Sequence, residues 1–489
     1  MIESARPVVC RFAPSPTGKL HLGGLKTLLY NFLFVSSMKG ELLLRIDDTD
    51  CSRLVGNSAK SLISTIKRLD LYPNLNHEGS INNPIFQSNR LLHYKNSSLK
   101  LVQNGKAYFC DCPPKYSEKI AHQHRHYNHE DDINAQVCQC GNMPEKSSPD
   151  FANSSNEKKF CIKFRLEDEY NTFEDMLYGT ITHPVHLIER DFVIIRQNGF
   201  PTYQFASVID DMSFSVTHII RGMEWLNSVP KQQQLFKAFN CEIPAFMHLS
   251  LIFDENKKKM SKSNESLSVD TLLKKGYEPI VIFNYILNLF GGIDHADSNS
   301  KIFYLDELIE KFDYRTIDNK NYFFDISKLN LLHRKAIERK ITKNLANILD
   351  ESKDLISGRY KKAILMDDKQ LELFISNNLP RCANLEDLIY NPTFKYFLSH
   401  EAKLDFTDNF HAIDFLKYYA KIFQKNQKKI PNILYHLKKY LESNNVTNGL
   451  TIYTQSIRFA FTSKKVGPPL VELMSYVNIE KFIREIENL

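Results

Sequence analysis

The stretch RFAPSPTGKLHLGG, Arg11–Gly24, decides how the N-terminal part of this chain folds. Val8 to Phe12, which leads into it, is a short β-rich run. Pro14, Pro16 and Gly18 then interrupt regular structure. Leu22, Leu25, Leu28, Leu29, Phe32 and Leu33 follow at three- and four-residue spacing, which predicts a helix. Lys39 and Gly40 are the basic last turn and the glycine that close one. Glu41 to Ile46 is again strand-like. A strand, a glycine-containing loop, a helix and a second strand in this order predict a parallel sheet and an α/β fold.

The helix start suits an anion. Backbone N–H groups around His21 to Gly24 have no acceptor within the helix. Gly23 and Gly24 carry no Cβ, so a nucleotide can pack close to the backbone. His21 can donate to a phosphate oxygen whose charge grows as pyrophosphate departs. Far downstream, Lys257–Ser263 reads KKKMSKS. Lys259 and Lys262, flanked by small hydroxyl residues, can neutralise charge on a triphosphate. Alone, the first motif is a turn before a helix and the second a solvated lysine cluster. Together, in this order and with a strand-rich segment between them, they specify far more.

The remainder of the 489 residues is ordinary for a globular chain, with 43% hydrophobic and 25% charged residues, which excludes a wholly disordered protein. No stretch reaches the ~18 uncharged apolar residues of a membrane span. The longest, Ile280 to Gly292, predicts a buried helix, and no secretory signal is expected at the N-terminus. A net charge of +6 leans weakly toward a polyanionic partner. Strand-like runs recur at Phe160 to Leu166 and Phe192 to Arg196, and helical patterns dominate from about Val269.

Nine cysteines form no dense framework. Cys110 with Cys112 and Cys138 with Cys140 are two close pairs; Cys161 and the others read as scattered buried fillers. Residues 113–159, rich in His, Asn, Ser, Glu and Lys, read as a poorly packed insertion around those pairs. Four thiolates could hold one tetrahedral structural Zn2+, with His122, His124, His126 and His129 as substitute donors.

RFAPSPTGKLHLGG, RIDDTD, PTYQFASVIDD, THIIRGMEWL and KMSKS together resemble the class I glutamyl-tRNA synthetases of the bacterial and mitochondrial type. The likeness runs from about Arg11 to Leu332 and returns in IRFAFTS and VGPPLVELMSYV. Ala13, Ser15, Thr17 and Gly24 follow the glutamyl pattern; the glutamine-specific relatives carry a Pro-Glu-Pro-Asn core there. The resemblance implies ATP-dependent ligation of L-glutamate to tRNA-Glu through a glutamyl-adenylate, with Mg2+ on the phosphates.

It also implies roles. Arg11 and Arg221 match the family's glutamate-binding arginines and suit carboxylate pairing. Asp47, where the family usually has Glu, should hold the α-ammonium; Ala13, Ser15, Tyr203, Ser207 and Trp225 complete the amino-acid pocket. ATP falls to His21, Gly23, Gly24, Glu224, Lys259, Met260, Ser261, Lys262 and Ser263, with His21, Lys259 and Lys262 catalytic. Met223 and Ser263 depart from the family's usual acidic residue and Arg.

The expected organisation is a Rossmann-like class I synthetase catalytic domain, an α+β acceptor-binding insertion and an all-α anticodon-binding region. The expected boundaries are 1–105 and 201–250 for the catalytic halves and 106–200 for the insertion. A stem-contact part with KMSKS follows over 251–340, then an anticodon-binding part over 341–489. Lys425 to Lys429 and Lys438-Lys439 fit RNA phosphates as well as a solvated face. The chain is expected to act as a monomer, away from membranes. The drift of its insertion and C-terminal half points to the mitochondrial matrix, with the bacterial cytoplasm as the alternative. Rival functions are a glutaminyl or tRNA-modifying relative and a non-catalytic tRNA-binding paralogue.

Overall fold

The computed structural model describes residues 7–50, 58–71, 78–112, 139–143, 160–166, 170–184, 191–253, 268–294, 301–360, 365–382, 384–399, 402–405, 411–425, 432–446 and 449–488. The chain divides into two compact units, Met1–Lys274 with Ile282–Ile326, and Lys275–Val281 with Ser327–Leu489.

The first unit opens with β1 (Val9–Phe12), α1 (Leu22–Ser37) and β2 (Glu41–Ile46). β1 and β2 are parallel, in register from Val9 opposite Glu41 to Phe12 opposite Leu44. Five of the six residues of β2 are buried, as in a strand covered on both faces. α1 buries Leu22, Leu25, Leu28, Leu29, Tyr30, Phe32 and Leu33, so it is a core helix rather than a surface one. After α2 (Ser58–Leu69), β3 (Ile85–Phe86) extends the parallel sheet beyond β2, and α3 (Leu91–Gln103) follows.

β4 (Ala107–Cys110), β5 (Cys161–Phe164) and β8 (Phe192–Ile195) form a separate antiparallel sheet. Its core joins Phe109, Ile162, Phe164, Phe192 and Ile194 to Tyr94, Leu101 and Val102 of α3 and to Phe205 and Ile209 of α4 (Tyr203–Ser213). Between β5 and β8 lies a hairpin that the sequence reading missed, β6 (Tyr170–Asp175) and β7 (Gly179–Pro184).

The chain then returns to the large sheet. β9 (His218–Gly222) and β10 (Ala245–Leu249), joined by α5 (Val229–Ala238), are parallel from His218 opposite Ala245 to Gly222 opposite Leu249. β9 lies beside β1: Thr217 N donates to Val9 O at 2.9 Å, and Val9 N donates to Thr217 Oγ1 at 2.9 Å. Asn31 of α1 ties the helix to β9 by donating to Ile220 O at 3.1 Å. β6 adds to the far side of β10 through one pair, Phe246 opposite Asp175. The strands thus grow from β1 in two directions, β2 and β3 one way, β9 and β10 the other. That reversal opens a crevice at the C-terminal strand ends.

β11 (Ile252–Phe253), α6 (Val269–Lys274), α7 (Pro279–Phe290), α8 (Leu305–Lys311) and β12 (Tyr322–Phe323) follow. The apolar run Ile280 to Gly292 is a buried helix, as its length predicts. No helix among the described residues is long and apolar enough to cross a membrane.

The described elements of the second unit are all helical. α9 (Ile326–Tyr360) is bent at Asn344, whose φ of −135° leaves the helical region. α10 (Asp368–Asn378), α11 (Leu385–Tyr390), α12 (Lys395–Leu398), α13 (His411–Lys425), α14 (Ile433–Ser443), α15 (Leu450–Thr462), α16 (Leu470–Ser475) and α17 (Ile479–Glu487) complete it. They enclose a core of their own around Phe374, Leu416, Tyr419, Ile457, Phe461, Leu473, Tyr476 and Phe482. Phe374 meets Phe394 and Tyr476 edge to face, both at 5.2 Å. Side chains of Asp367, Asn432 and Asn478 cap helix starts, as their short oxygen-bearing groups should. Lys438 and Lys439 are exposed on α14; residues 426–430 lie outside the described residues.

Candidate active site

A cavity of about 330 Å³ occupies the crevice beside β1 and β9. Its walls include Arg11 of β1, Ala13 and Ser15 after it, His21, Gly23 and Gly24 at the start of α1, Tyr203 of α4, Arg221 of β9, and Glu224 and Trp225 just after β9.

His21 is the N-cap of α1, with extended backbone, and its Nδ1 accepts from Gly24 N at 3.1 Å. A neutral ring with Nδ1 accepting carries its proton on Nε2, so the ring keeps a donor besides the cap. Gly23 makes room for it. A Cβ there would lie 3.1 Å from the imidazole.

Arg11 donates from Nε to Asp211 Oδ1 at 3.1 Å. The same oxygen accepts from Arg45 Nη1 at 2.6 Å, while Arg45 Nε donates to Asp47 Oδ1 at 2.7 Å and Arg45 Nη2 to Ser207 Oγ at 2.8 Å. Asp47 and Ser207 are therefore bound to a buried arginine and do not reach the cavity wall. Burial raises the Asp47 carboxyl above its usual range against the pull of Arg45. Burial also pushes on Asp211, but Arg11 and Arg45 outweigh it and hold that carboxyl low. Arg45, Asp210 and Asp211 were not assigned from sequence, although RIDDTD and VIDD contain them.

Arg221, 4% exposed, is held at two of its three nitrogens. Nε donates to His248 Nε2 at 3.0 Å and Nη2 to Trp225 O at 3.2 Å. Nη1 is buried and has no hydrogen-bond partner among the described residues. Tyr203 and Trp225, both in the cavity wall, pack with ring centroids 4.2 Å apart and planes tilted by 32°.

Lys26 of α1 also lines the cavity and was missed, because a lysine at helical spacing looks like any surface charge. It is buried, donates to Ser250 O and lies 4.1 Å from the Phe290 ring centroid. Burial pushes its ammonium down to about 7 against the opposing pull of Glu224.

Lys259, Met260, Ser261, Lys262 and Ser263 lie outside the described residues. The chain on either side of them is fixed at the cavity. Ile252 of β11 lines it, Ser268 forms an antiparallel bridge with His21, and Val269 N donates to Leu20 O at 2.9 Å.

The Sγ atoms of Cys110, Cys112 and Cys140 lie within 4.8 Å of one another, Cys112 and Cys140 at 3.6 Å. Thiolates on one zinc sit roughly 3.8 Å apart, given Zn–S of ~2.3 Å, so the three fit such an ion. Cys138 lies outside the described residues. Cys161 is not a scattered filler: it faces Cys110 across β4 and β5 and packs in the same cluster. Its hydrogen bond, with burial, raises the Cys110 thiol well above the usual range in the metal-free form.

Residues 7–331 match the family described as tRNA synthetases class I (E and Q), catalytic domain. The glutamate–tRNA ligase of Finegoldia magna is 35% identical over 359 residues, 69% of this chain and 70% of its own. That of Chlorobaculum parvum is 30% identical over 97% of this chain and 96% of its own. Among solved structures, a glutamate tRNA ligase from Elizabethkingia meningosepticum, crystallised with its amino acid, superposes with a TM-score of 0.76. It covers 99% of both chains at 23% identity, a likeness of fold.

Proposed function

The chain belongs to the class I tRNA synthetases of the glutamate and glutamine type, and from that premise we propose how its site works. It ligates L-glutamate to tRNA-Glu at the expense of ATP. The α-carboxylate of glutamate attacks the α-phosphorus, pyrophosphate leaves, and glutamyl-adenylate remains. A hydroxyl of the terminal ribose of tRNA then attacks the acyl carbon, and AMP leaves. No protein nucleophile takes part, so the residues act by positioning and by stabilising charge.

The observation that carries the amino-acid side is the buried Arg221 in the cavity wall, which interacts with Tyr203 and whose Nη1 has no well-aligned hydrogen-bond partner among the described residues. A buried guanidinium with one end unsatisfied is suited to a carboxylate and penalises an amide. Arg11, fixed through Nε by Asp211, offers its remaining nitrogens to the other carboxylate. Asp47 and Ser207 serve by holding Arg45, which holds Asp211 and through it Arg11. Tyr203 and Trp225 wall the methylene stem, with Ala13 and Ser15 opposite.

His21 donates from Nε2 to the phosphates, and Gly23 and Gly24 let the nucleotide approach the backbone. Glu224 takes the ribose hydroxyls. Lys259 and Lys262 meet the leaving pyrophosphate, with Met260, Ser261 and Ser263 beside them, and Mg2+ rides on the phosphates. Cys110, Cys112 and Cys140 hold a structural zinc in the same reading. Elemental analysis of purified protein should find about one zinc per chain, lost in Cys112→Ser. The enzyme acts as a monomer in this reading.

ATP–pyrophosphate exchange tests the whole. Exchange with glutamate in the presence of tRNA is expected. Exchange with glutamine would move the protein to the sister specificity. No exchange from folded protein that still binds tRNA would make it a non-catalytic paralogue.

A further inference from the structure

His248 lies near the C-terminal end of β10 with no exposed surface, and beyond holding Arg221 Nε it has no role assigned above. Its Nδ1 is 2.7 Å from Asp175 Oδ2, and its own backbone N donates to the same oxygen at 3.1 Å. The other oxygen of Asp175 accepts from Leu177 N at 3.0 Å and Tyr178 N at 3.1 Å. Four bonds fix this carboxylate, which is 3% exposed and cannot turn.

The rest follows from proton bookkeeping. A carboxylate oxygen at Nδ1 requires the ring proton there. Nε2 of the neutral ring is then an acceptor, and arginine can only donate. The Arg221 Nε–H therefore has a single matched partner, at 3.0 Å. Burial lowers the tendency of His248 to take a second proton; the hydrogen bond to Asp175 opposes it, and the charges of Arg221 and Arg11 add to the lowering. Phe246 lies beneath the guanidinium, 5.6 Å from its carbon. A histidine serving packing alone would be satisfied by Asp175. This one spends its second nitrogen on a side chain that lines the cavity and whose buried Nη1 has no well-aligned partner among the described residues.

We infer that Asp175 and His248 are positioning residues for Arg221, a relay that fixes the plane in which its guanidinium meets the substrate carboxylate. The relay sets glutamate recognition without touching glutamate. It also gives the β6–β7 hairpin a part in the reaction, since β6 joins the sheet only where Asp175 stands. The inference rests on Arg221 being the carboxylate-binding residue.

The test uses the full chain with tRNA and measures KM for glutamate, KM for ATP, kcat and the melting temperature. Gln places an acceptor where Nε2 stands, whereas Asn keeps the donor toward Asp175 and withdraws from Arg221. His248→Asn is expected to raise KM for glutamate about tenfold or more, with KM for ATP within about twofold. His248→Gln should recover most of that loss. Asp175→Asn, which keeps its shape but reverses the tautomer, should behave as His248→Asn and decides the matter if the latter fails to fold. The inference is overturned if the Asn variants keep the wild-type KM for glutamate. It is equally overturned if the Asn and Gln variants alike degrade all parameters and the melting temperature together. Arg221→Lys separates the two levels. If it leaves KM for glutamate unchanged, the carboxylate assignment falls and the relay with it. If it raises KM while the His248 variants do not, the relay alone is wrong.

Discussion

Lys26 and His21 sit one turn apart on α1 and answer to different solvents. The Lys26 ammonium, buried against Phe290, has its pKa near 7 in the folded chain and near 10.5 when unfolded. Below about pH 7 both states are protonated and the fold carries the full cost of burying the charge. Between pH 7 and 10.5 the unfolded chain binds the extra proton, so this group's contribution to stability rises with pH. Lys26→Met should therefore be the more stable relative to wild type at pH 7, by a margin that shrinks by roughly 1 to 2 kcal/mol by pH 9. Urea unfolding at the two pH values measures it. His21 combines a cap and a donor, and substitution can part them. His21→Ala should lose about 1 kcal/mol of stability with the cap and about 10²- to 10³-fold in kcat with the phosphate donor. His21→Asn should recover the stability and not the rate. The meeting of Arg11, His21 and the glycines at one cavity was legible because they lie within one short stretch. His248, Asp175 and Arg45 were not, since the bonds that link them to the site reach partners 27 to 166 positions away.

Elements were legible where burial imposed a period. β1, α1 and β2 carry continuous or helically spaced apolar residues, and α7 is one apolar run that ends at Gly291. Gly291 has φ +78°, and a Cβ there would overlap Thr316 O. Its carbonyl accepts from Tyr30 OH at 2.7 Å, so the turn cannot shift without breaking that bond. Gly291→Ala should cost about 2 kcal/mol or more, seen as a fall of several degrees in the first unit's melting temperature. The β6–β7 hairpin was missed for a physical reason. It touches the large sheet at a single pair, so most of its residues face no core, and Asn171, Thr172, Glu174, Thr180 and Thr182 leave little apolar alternation to read. β11 and β12 are two residues each, below any periodic signal.

At the scale of the molecule, two units enclose separate cores, and only the first contains the cavity. Calorimetry should resolve two transitions. ATP with magnesium at about 100 times its Kd adds roughly 2.7 kcal/mol to whichever unit binds it. The transition of the first unit should move and that of the helical unit should stay; a single transition moving as one would refute this. The helical character of the C-terminal part was plain in its spacing, and α9, which opens it, bends only at Asn344. The bridge between His21 and Ser268 carries one more consequence. With Phe253 it fixes both ends of the fourteen residues 254–267, so in the proposed reading Lys259 and Lys262 would act as tethered groups, at an effective concentration in the roughly millimolar range. Tether entropy grows only with the logarithm of length. Doubling the loop with flexible residues would therefore dilute these lysines about threefold, a far smaller loss than removing either charge.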